Sequence, residues 1–155
     1  MIMKYQLAQV NIARMREPLD APLMWEFVHF LGPINELAEH QEGFVWRLKD
    51  DEGTSATAVE TPFKDDMIII NMSVWENLES PRQFVYHTAH SYFVRRGKQW
   101  FERMERPHMV LWWVPQGHEP SPNEAAAKLE ELQANGPTPA AFDWSKMFDA
   151  SGQPL

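Results

Sequence analysis

Two histidines, His87 and His90, stand three residues apart in the stretch YHTAHSYF (residues 86–93). Imidazole can bind a metal ion or exchange a proton near neutral pH. Metal-binding helices usually present two histidines four residues apart, or a glutamate three residues before a histidine, and this stretch has neither pattern. The spacing therefore predicts no metal site. His90 is the candidate catalytic acid or base, with a hydrogen-bonded core histidine as the alternative, and His87 is expected near the surface.

The helix that carries these histidines is predicted from a Ser80 cap and Pro81 to about Glu105. Its buried stripe follows steps of three and four, which is the spacing of one helix face. The stripe contains Tyr86, Ala89, His90, Phe93, Gly97, Trp100 and Met104. Tyr86 and Phe93 are therefore candidate substrate-binding residues beside His90.

Amide side chains form a second candidate group, on two strands predicted at residues 4–13 and 67–75. Alternation places apolar residues on one sheet face: Ala8, Val10, Ile12, Ile68, Ile70, Met72 and Val74. The other face mixes apolar and polar groups: Leu7, Gln9, Asn11, Ile69, Asn71, Ser73 and Trp75. A buried amide without a partner costs about 1–3 kcal/mol. A cavity between helices and sheet, with Asn11, Asn71 and Trp75 around a ligand, would explain the amides. The alternative is that they join strand ends to loops.

The apolar face also needs a cover, because an exposed patch of that size is unfavourable in water. A second copy of the chain is the expected cover, which predicts a homodimer. The C-terminal helix and tail are the rival cover.

The remaining elements complete the pattern. Asp20 is expected to cap a first helix that has Pro22 in its first turn and a kink or break at Gly32-Pro33. Strands are predicted at residues 44–49 and 108–114, and a capping box at Ser121 and Glu124 opens a last helix that Gly136 ends. The order β-α-β-β-α-β predicts an α+β, ferredoxin-like fold with an antiparallel sheet. Residues 1–155 form one domain, with 121–155 as a C-terminal helix and docking tail. Trp112 and Trp113 must face opposite sides of the sheet, and Trp112 is the candidate for the pocket.

Composition excludes several classes of function. The chain has 155 residues, a formal charge of −8, seven Trp, nine Phe and no Cys. The negative charge argues against nucleic-acid binding, and the lack of Cys excludes disulfides and thiolate metal sites. No apolar run reaches the ~18–20 residues that span a bilayer, and the N-terminus lacks a signal-peptide pattern. A cytoplasmic protein without a membrane partner is expected.

Several blocks of the sequence resemble known families. The stretch VWENLESPRQF, with Trp75-Glu76 before a Ser-Pro helix start, resembles the dimeric α/β barrel superfamily, which includes antibiotic-biosynthesis and haem-degrading monooxygenases. A closer resemblance is to the uncharacterised bacterial family known as domain of unknown function 3291 (DUF3291). It rests on LAQVNIARMREPLD, GFVWRLKDDEG, NMSVWENLESPRQFVYHTAH, RRGKQWFERM, VLWWVPQGHEP and GPTPAAFDW. This resemblance implies a ferredoxin-like dimer and no particular activity.

The superfamily resemblance also bears on cofactors. Its haem degraders use a strand-one Asn with a Trp and a His on the second helix. This chain has Asn11 but carries Phe84 and Val94 at the other two positions, so no haem and no other cofactor is expected. Its cofactor-free monooxygenases use Asn and Trp around an aromatic substrate. By that resemblance Asn11, Asn71, Trp75 and His90 suggest such an enzyme acting on a hydrophobic molecule. The alternatives are a noncatalytic binding or sensing protein, and a structural dimer without a ligand.

Overall fold

The computed structural model describes residues 4–49, 63, 65–87 and 89–155, with the side chains of 85–94 excepted. The elements are β1 (Tyr5–Arg14), a short 3-10 helix (Pro22–Met24), α1 (Trp25–Glu39), β2 (Phe44–Arg47), β3 (Ile68–Trp75), α2 (Glu79–His87), α3 (Ala89–Trp100), β4 (Met109–Pro115) and α4 (Pro122–Asn135).

The strands form one four-stranded antiparallel sheet in the order β2-β3-β1-β4. Strand β1 lies in the centre, where it pairs with both β3 and β4. The register sets Asn11 opposite Asn71 and Gln9 opposite Ser73, so the amides predicted to share a face are direct neighbours across two strands. The α+β class and the antiparallel sheet are as predicted.

One face of the sheet is covered by α4. Its core cluster joins strand residues to helix residues: Ala8, Val10, Ile12, Ile70, Met72, Val74, Val110, Trp112 and Val114 with Ala125, Leu129, Leu132 and Ala141. All these side chains are buried within a single chain. The rival cover is therefore the one that forms, and this face is not an open surface for a second copy.

A polar cluster fixes the start of α4 to the sheet. The Glu124 carboxylate accepts a hydrogen bond from the Trp112 indole N–H at 2.9 Å and lies 2.7 Å from Nε2 of His118. The predicted Ser121 cap is present, because Glu124 N–H donates to Ser121 Oγ at 3.1 Å, while the Glu124 carboxylate binds Trp112 and His118. Two residues of the WWVPQGHEP block, Trp112 and His118, therefore connect β4 and the following loop to α4.

The opposite face is divided between helices and tail. On the β4 side, Phe142 and Phe148 of the tail pack on Leu7 and Leu111. Phe142 also exchanges two backbone hydrogen bonds with Leu111, at 2.7 and 2.9 Å, and so covers the edge of β4. On the β2–β3 side, α1 and α2 pack through Ala38 and Phe84 against Trp75. On this face of the sheet, the tail therefore covers the β4 side, and the helices cover the side that carries the amides.

Two predicted helix boundaries were wrong. The second helical region ends at Trp100 rather than near Glu105, because the next residues pair with the end of β1: Glu102 N–H donates to Arg14 O at 2.8 Å. Asp20 does not cap the first helix. The 3-10 helix that precedes α1 has Ala21 at its N-cap, without a side-chain hydrogen bond. Pro33 lies inside α1, which runs through it without a break.

Candidate functional site

A cavity of about 170 Å³ lies between α1 and the amide-bearing face of the sheet. Helix α1 contributes its inner stripe, and the sheet contributes the residues that alternate with the α4-facing set. The described lining consists mainly of Gln9, Asn11, Ala13, Phe27, Leu31, Ile34, Asn35, Ala38, Phe44, Arg47, Leu48, Ile69, Asn71, Ser73, Trp75, Pro81, Phe84, Phe101 and Trp144. An apolar wall with a few amides is typical of a small-molecule site.

The sheet floor of the cavity holds a hydrogen-bonded chain. Gln9 Nε2 donates to Ser73 Oγ at 2.8 Å and to Asn71 Oδ1 at 3.1 Å. The Trp75 indole N–H donates to the same Ser73 oxygen at 2.8 Å. Because Ser73 accepts from two side chains, it fixes the orientation of both the Gln9 amide and the Trp75 ring.

Other amide side chains at the cavity have hydrogen-bonding groups that no described residue pairs with. Asn35 on α1 is only 8% exposed and makes no side-chain hydrogen bond to any described residue. Within the same described ranges, Asn11 makes none either, and Asn71 uses only its oxygen. These amides therefore present donors and acceptors to whatever occupies the cavity.

The charged group at the rim is neutralised by a neighbour. Arg47 has a side chain only 10% exposed, and its Nε lies 2.6 Å from Oε1 of Glu39. Lys49 Nζ approaches the same carboxylate oxygen at 3.4 Å. The hydrogen bond from Arg47 is the main cause that lowers the pKa of Glu39 below its usual value. Arg47 is the only ionisable side chain among the described lining residues, so the described lining carries no uncompensated charge.

Aromatic rings form part of the cavity wall. Trp75 meets Phe44 edge to face, with ring centroids 5.4 Å apart, and lies 5.9 Å from the Phe84 ring. Phe27 meets Phe101 edge to face, with ring centroids 5.0 Å apart. These contacts favour fixed ring positions and give the cavity walls that suit a flat apolar molecule.

The predicted site residues fall into three groups. Asn11, Asn71 and Trp75 line the cavity, as expected from strand alternation. Trp112 does not. It is buried beneath α4 on the opposite face, because it shares the alternation of Ala8, its partner in β1. The side chains of Tyr86, His90 and Phe93 lie outside the described residues, as does that of His87.

Sequence reasoning missed the helix side of the cavity. Asn35 lies four residues after Leu31 and three before Ala38, which places it on the buried stripe of α1. A polar residue at such a position was the available signal. Arg47 was missed because its neutrality depends on Glu39, and no local pattern marks that pair.

The described residues give no sign of a metal site or a membrane span. No group of three or more His, Asp or Glu side chains in this part of the chain could hold an ion. No described helix has the length and apolarity needed to cross a bilayer.

Comparison with known proteins places the chain in a family. The model of the domain of unknown function DUF3291 matches residues 6–155. The chain belongs to the DUF3291 family. No curated protein matches it significantly.

Two crystal structures resemble this DUF3291 protein at low identity. PA3566 from Pseudomonas aeruginosa is 8% identical with a TM-score of 0.49, and the match covers 76% of this chain and all of PA3566. NE2512, a protein of unknown function from Nitrosomonas europaea, is 10% identical with a TM-score of 0.46, and the match covers 78% of this chain and 98% of NE2512.

Proposed function

We propose that this DUF3291 protein binds a small, mainly apolar molecule in the cavity between α1 and the sheet, without a cofactor. The observation that carries the proposal is Asn35, a residue only 8% exposed that lines the cavity and makes no side-chain hydrogen bond to a described residue. An apolar side chain of similar size there would avoid the desolvation of the amide. A ligand that hydrogen-bonds to Asn35 would supply the partner that the amide lacks among the described residues.

The test is to fill the cavity. Ala38 on α1 lines it and is almost fully buried, so Ala38→Phe places a ring in the ligand volume. Isothermal titration with small aromatic compounds is expected to show saturable 1:1 binding in the wild type and none in this variant. Ala127→Phe, at an exposed position on α4, is the matched control and keeps the binding.

Circular dichroism checks that the filled variant folds. If Ala38→Phe does not fold, Ala13→Leu is the second variant, because it fills the same cavity from the sheet side with a side chain smaller than Phe. Binding that is unchanged in a folded, filled variant would place the ligand elsewhere and remove the proposal.

A second candidate is a cofactor-independent monooxygenase-like enzyme that uses the same cavity. Its support is that Asn11, Asn71 and Trp75 line one cavity, in keeping with the residue types used by such enzymes. Binding is the first candidate because proton transfer needs a titratable group, and Arg47 is the only ionisable side chain among the described lining residues. The proton-moving role belongs to His90, whose side chain lies outside the described residues.

Oxygen uptake separates these two functions. With a ligand shown to bind, catalysis predicts oxygen consumption that Asn11→Ala and His90→Ala reduce at saturating ligand. Binding without oxygen consumption leaves the carrier or sensor function. A protein that binds nothing would favour the third candidate, a purely structural role.

The scaffold is proposed to be ferredoxin-like and related to the dimeric α/β barrel superfamily. The support is the strand order β2-β3-β1-β4, with helices following β1 and β3. The extra helix α4 occupies the sheet face that a second copy was expected to cover.

Self-association is proposed through the outer surface of α1 instead. Trp25 is 65% exposed and stacks on His29, and Leu23 and Val28 are exposed beside it. Glu26, the only Asp, Glu, Lys or Arg in 21–35, is paired with Arg96 at 3.1 Å. On a chain of charge −8, this neutral surface is where two copies meet with least repulsion.

Sedimentation velocity tests the dimer. A wild-type dimer that Trp25→Glu converts to a folded monomer is expected, with Lys128→Glu on α4 as a control that does not change the mass. A wild-type protein that is monomeric at micromolar concentration would contradict the dimer proposal. It would not affect the proposal that the cavity binds a ligand.

A further inference from the structure

The cavity also defines a class of ligand, an inference that rests on the proposed binding function. We infer that it takes an uncharged molecule of about one aromatic ring, with a hydrogen-bond donor and an acceptor on the same edge, as in an aromatic carboxamide. Size, charge and hydrogen-bonding capacity each support this class separately.

Size limits the ligand to about one ring. The cavity volume is about 170 Å³. An engineered protein cavity of ~150 Å³ accommodates benzene. A ring with one small polar substituent therefore fits, and a fused two-ring molecule requires the walls to move.

Charge excludes ionised ligands. Glu39 already neutralises Arg47 at 2.6 Å, so a carboxylate would have to compete for that guanidinium. A cationic ligand finds no carboxylate among the described lining residues. Since moving an unpaired ion out of water is far costlier than moving a neutral polar group, the site favours neutral molecules.

The amides determine which polar group fits. Asn35 offers both an acceptor oxygen and a donor nitrogen from α1, and Asn11 offers both from the sheet. Asn71 adds its donor nitrogen, because its oxygen accepts from Gln9. A ligand edge that both donates and accepts can pair with these groups. A hydrocarbon leaves Asn35 unsatisfied.

Four probes of nearly equal shape separate these contributions at pH 7: benzamide, benzoate, benzylamine and toluene. We expect benzamide to bind at least about tenfold more tightly than the other three, as loss of one or two net hydrogen bonds would give. Naphthalene-1-carboxamide, with two rings, is expected to bind at least about tenfold more weakly than benzamide. Isothermal titration measures all five affinities.

Asn35→Leu tests the polar contact directly. This variant is expected to lower the affinity for benzamide about tenfold while that for toluene stays equal or rises. Asn123→Leu, an exposed asparagine on α4, is the matched control and leaves the order of affinities unchanged. Asn71→Leu, at an exposed position of the cavity, provides a second variant should Asn35→Leu not fold.

Each failure has a distinct pattern. Benzoate or benzylamine binding as tightly as benzamide would overturn the charge argument, and equal binding of the two-ring amide would overturn the size argument. Toluene binding as tightly as benzamide, or benzamide binding undiminished in folded Asn35→Leu, would overturn the role of the amides while the cavity remains a binding site. Saturable binding by none of the five probes would count against the proposed function itself.

Discussion

The two faces of the sheet are built from the same strands and yet are packed in opposite ways. On the α4 side, alternate residues such as Val10 and Met72 are buried under the apolar side of one helix. On the α1 side, their neighbours Asn11 and Asn71 border a cavity of about 170 Å³, and Asn71 remains exposed. One face therefore acts as the core of the protein, and the other is available for a ligand.

The difference comes from the covering elements as well as from the strands. Helix α4 directs Ala125, Leu129 and Leu132 onto the sheet, and apolar side chains there can pack closely. Helix α1 places Asn35 among its buried residues. The amides of the sheet below it retain donors and acceptors that no described residue uses. Stability and binding can thus be changed on separate faces.

The largest effect is expected from the sealed face. Leu129→Ala removes a side chain buried in the α4 cluster and should lower the free energy of unfolding by about 2–5 kcal/mol, through lost burial and the space left behind. Leu31→Ala on α1 is the matched change at the cavity and should cost less, because Leu31 is half-buried beside open volume. Urea unfolding compares the two. An equal loss in both variants would mean that the faces do not differ in packing.

Ser73→Ala tests the ordered part of the open face. Ser73 is buried and accepts hydrogen bonds from Gln9 and Trp75, so its loss leaves two donors unpaired. The expected loss of stability is about 1–3 kcal/mol. Near-ultraviolet circular dichroism should also change as the Trp75 ring loosens. A cost near zero would show that the chain from Gln9 to Trp75 does not fix the floor of the cavity.

Asn35→Leu is expected to change stability in the other direction. It replaces a mostly buried amide that has no described partner with an apolar group of similar size, so the ligand-free protein should gain up to about 1 kcal/mol. Thermal and urea unfolding without ligand provide the measurement, with Asn123→Leu as the exposed control. A clear loss of stability would indicate that Asn35 supports the fold rather than a ligand.

The smallest effect concerns the rim pair and pH. The hydrogen bond from Arg47 is the main cause that lowers the pKa of Glu39 below its ordinary value of 4.5. Because its folded value lies below its unfolded one, the pair stabilises fully above about pH 4.5, and this contribution is lost as the pH falls through the folded pKa. Its size is about 0.2–1 kcal/mol.

Glu39→Gln should therefore reduce stability at pH 7, and its difference from the wild type should shrink as the pH falls below about 4.5. A pH-independent difference between variant and wild type would show that the pair contributes through packing rather than charge.

Strand alternation allowed much of the fold to be predicted from the sequence. Three of the seven candidate site residues, Asn11, Asn71 and Trp75, were placed at the cavity by that rule. The rule also put Trp112 and Trp113 on opposite faces, but it could not tell which of them shares the face of the amides. That depends on how β4 pairs with β1, and Trp112 pairs with Ala8 on the α4 face.

By itself, the sequence determined the strands, the antiparallel sheet, the two kinds of face and the helix cap at Ser121, because periodicity and capping are local properties of the chain. Only the tertiary structure decided that α4 covers the apolar face, that the tail occupies the β4 side, and that Asn35 and the Arg47–Glu39 pair border the cavity. These contacts join residues far apart in sequence or on different elements. Their geometry is set by which surfaces pack together, and no local pattern records that choice.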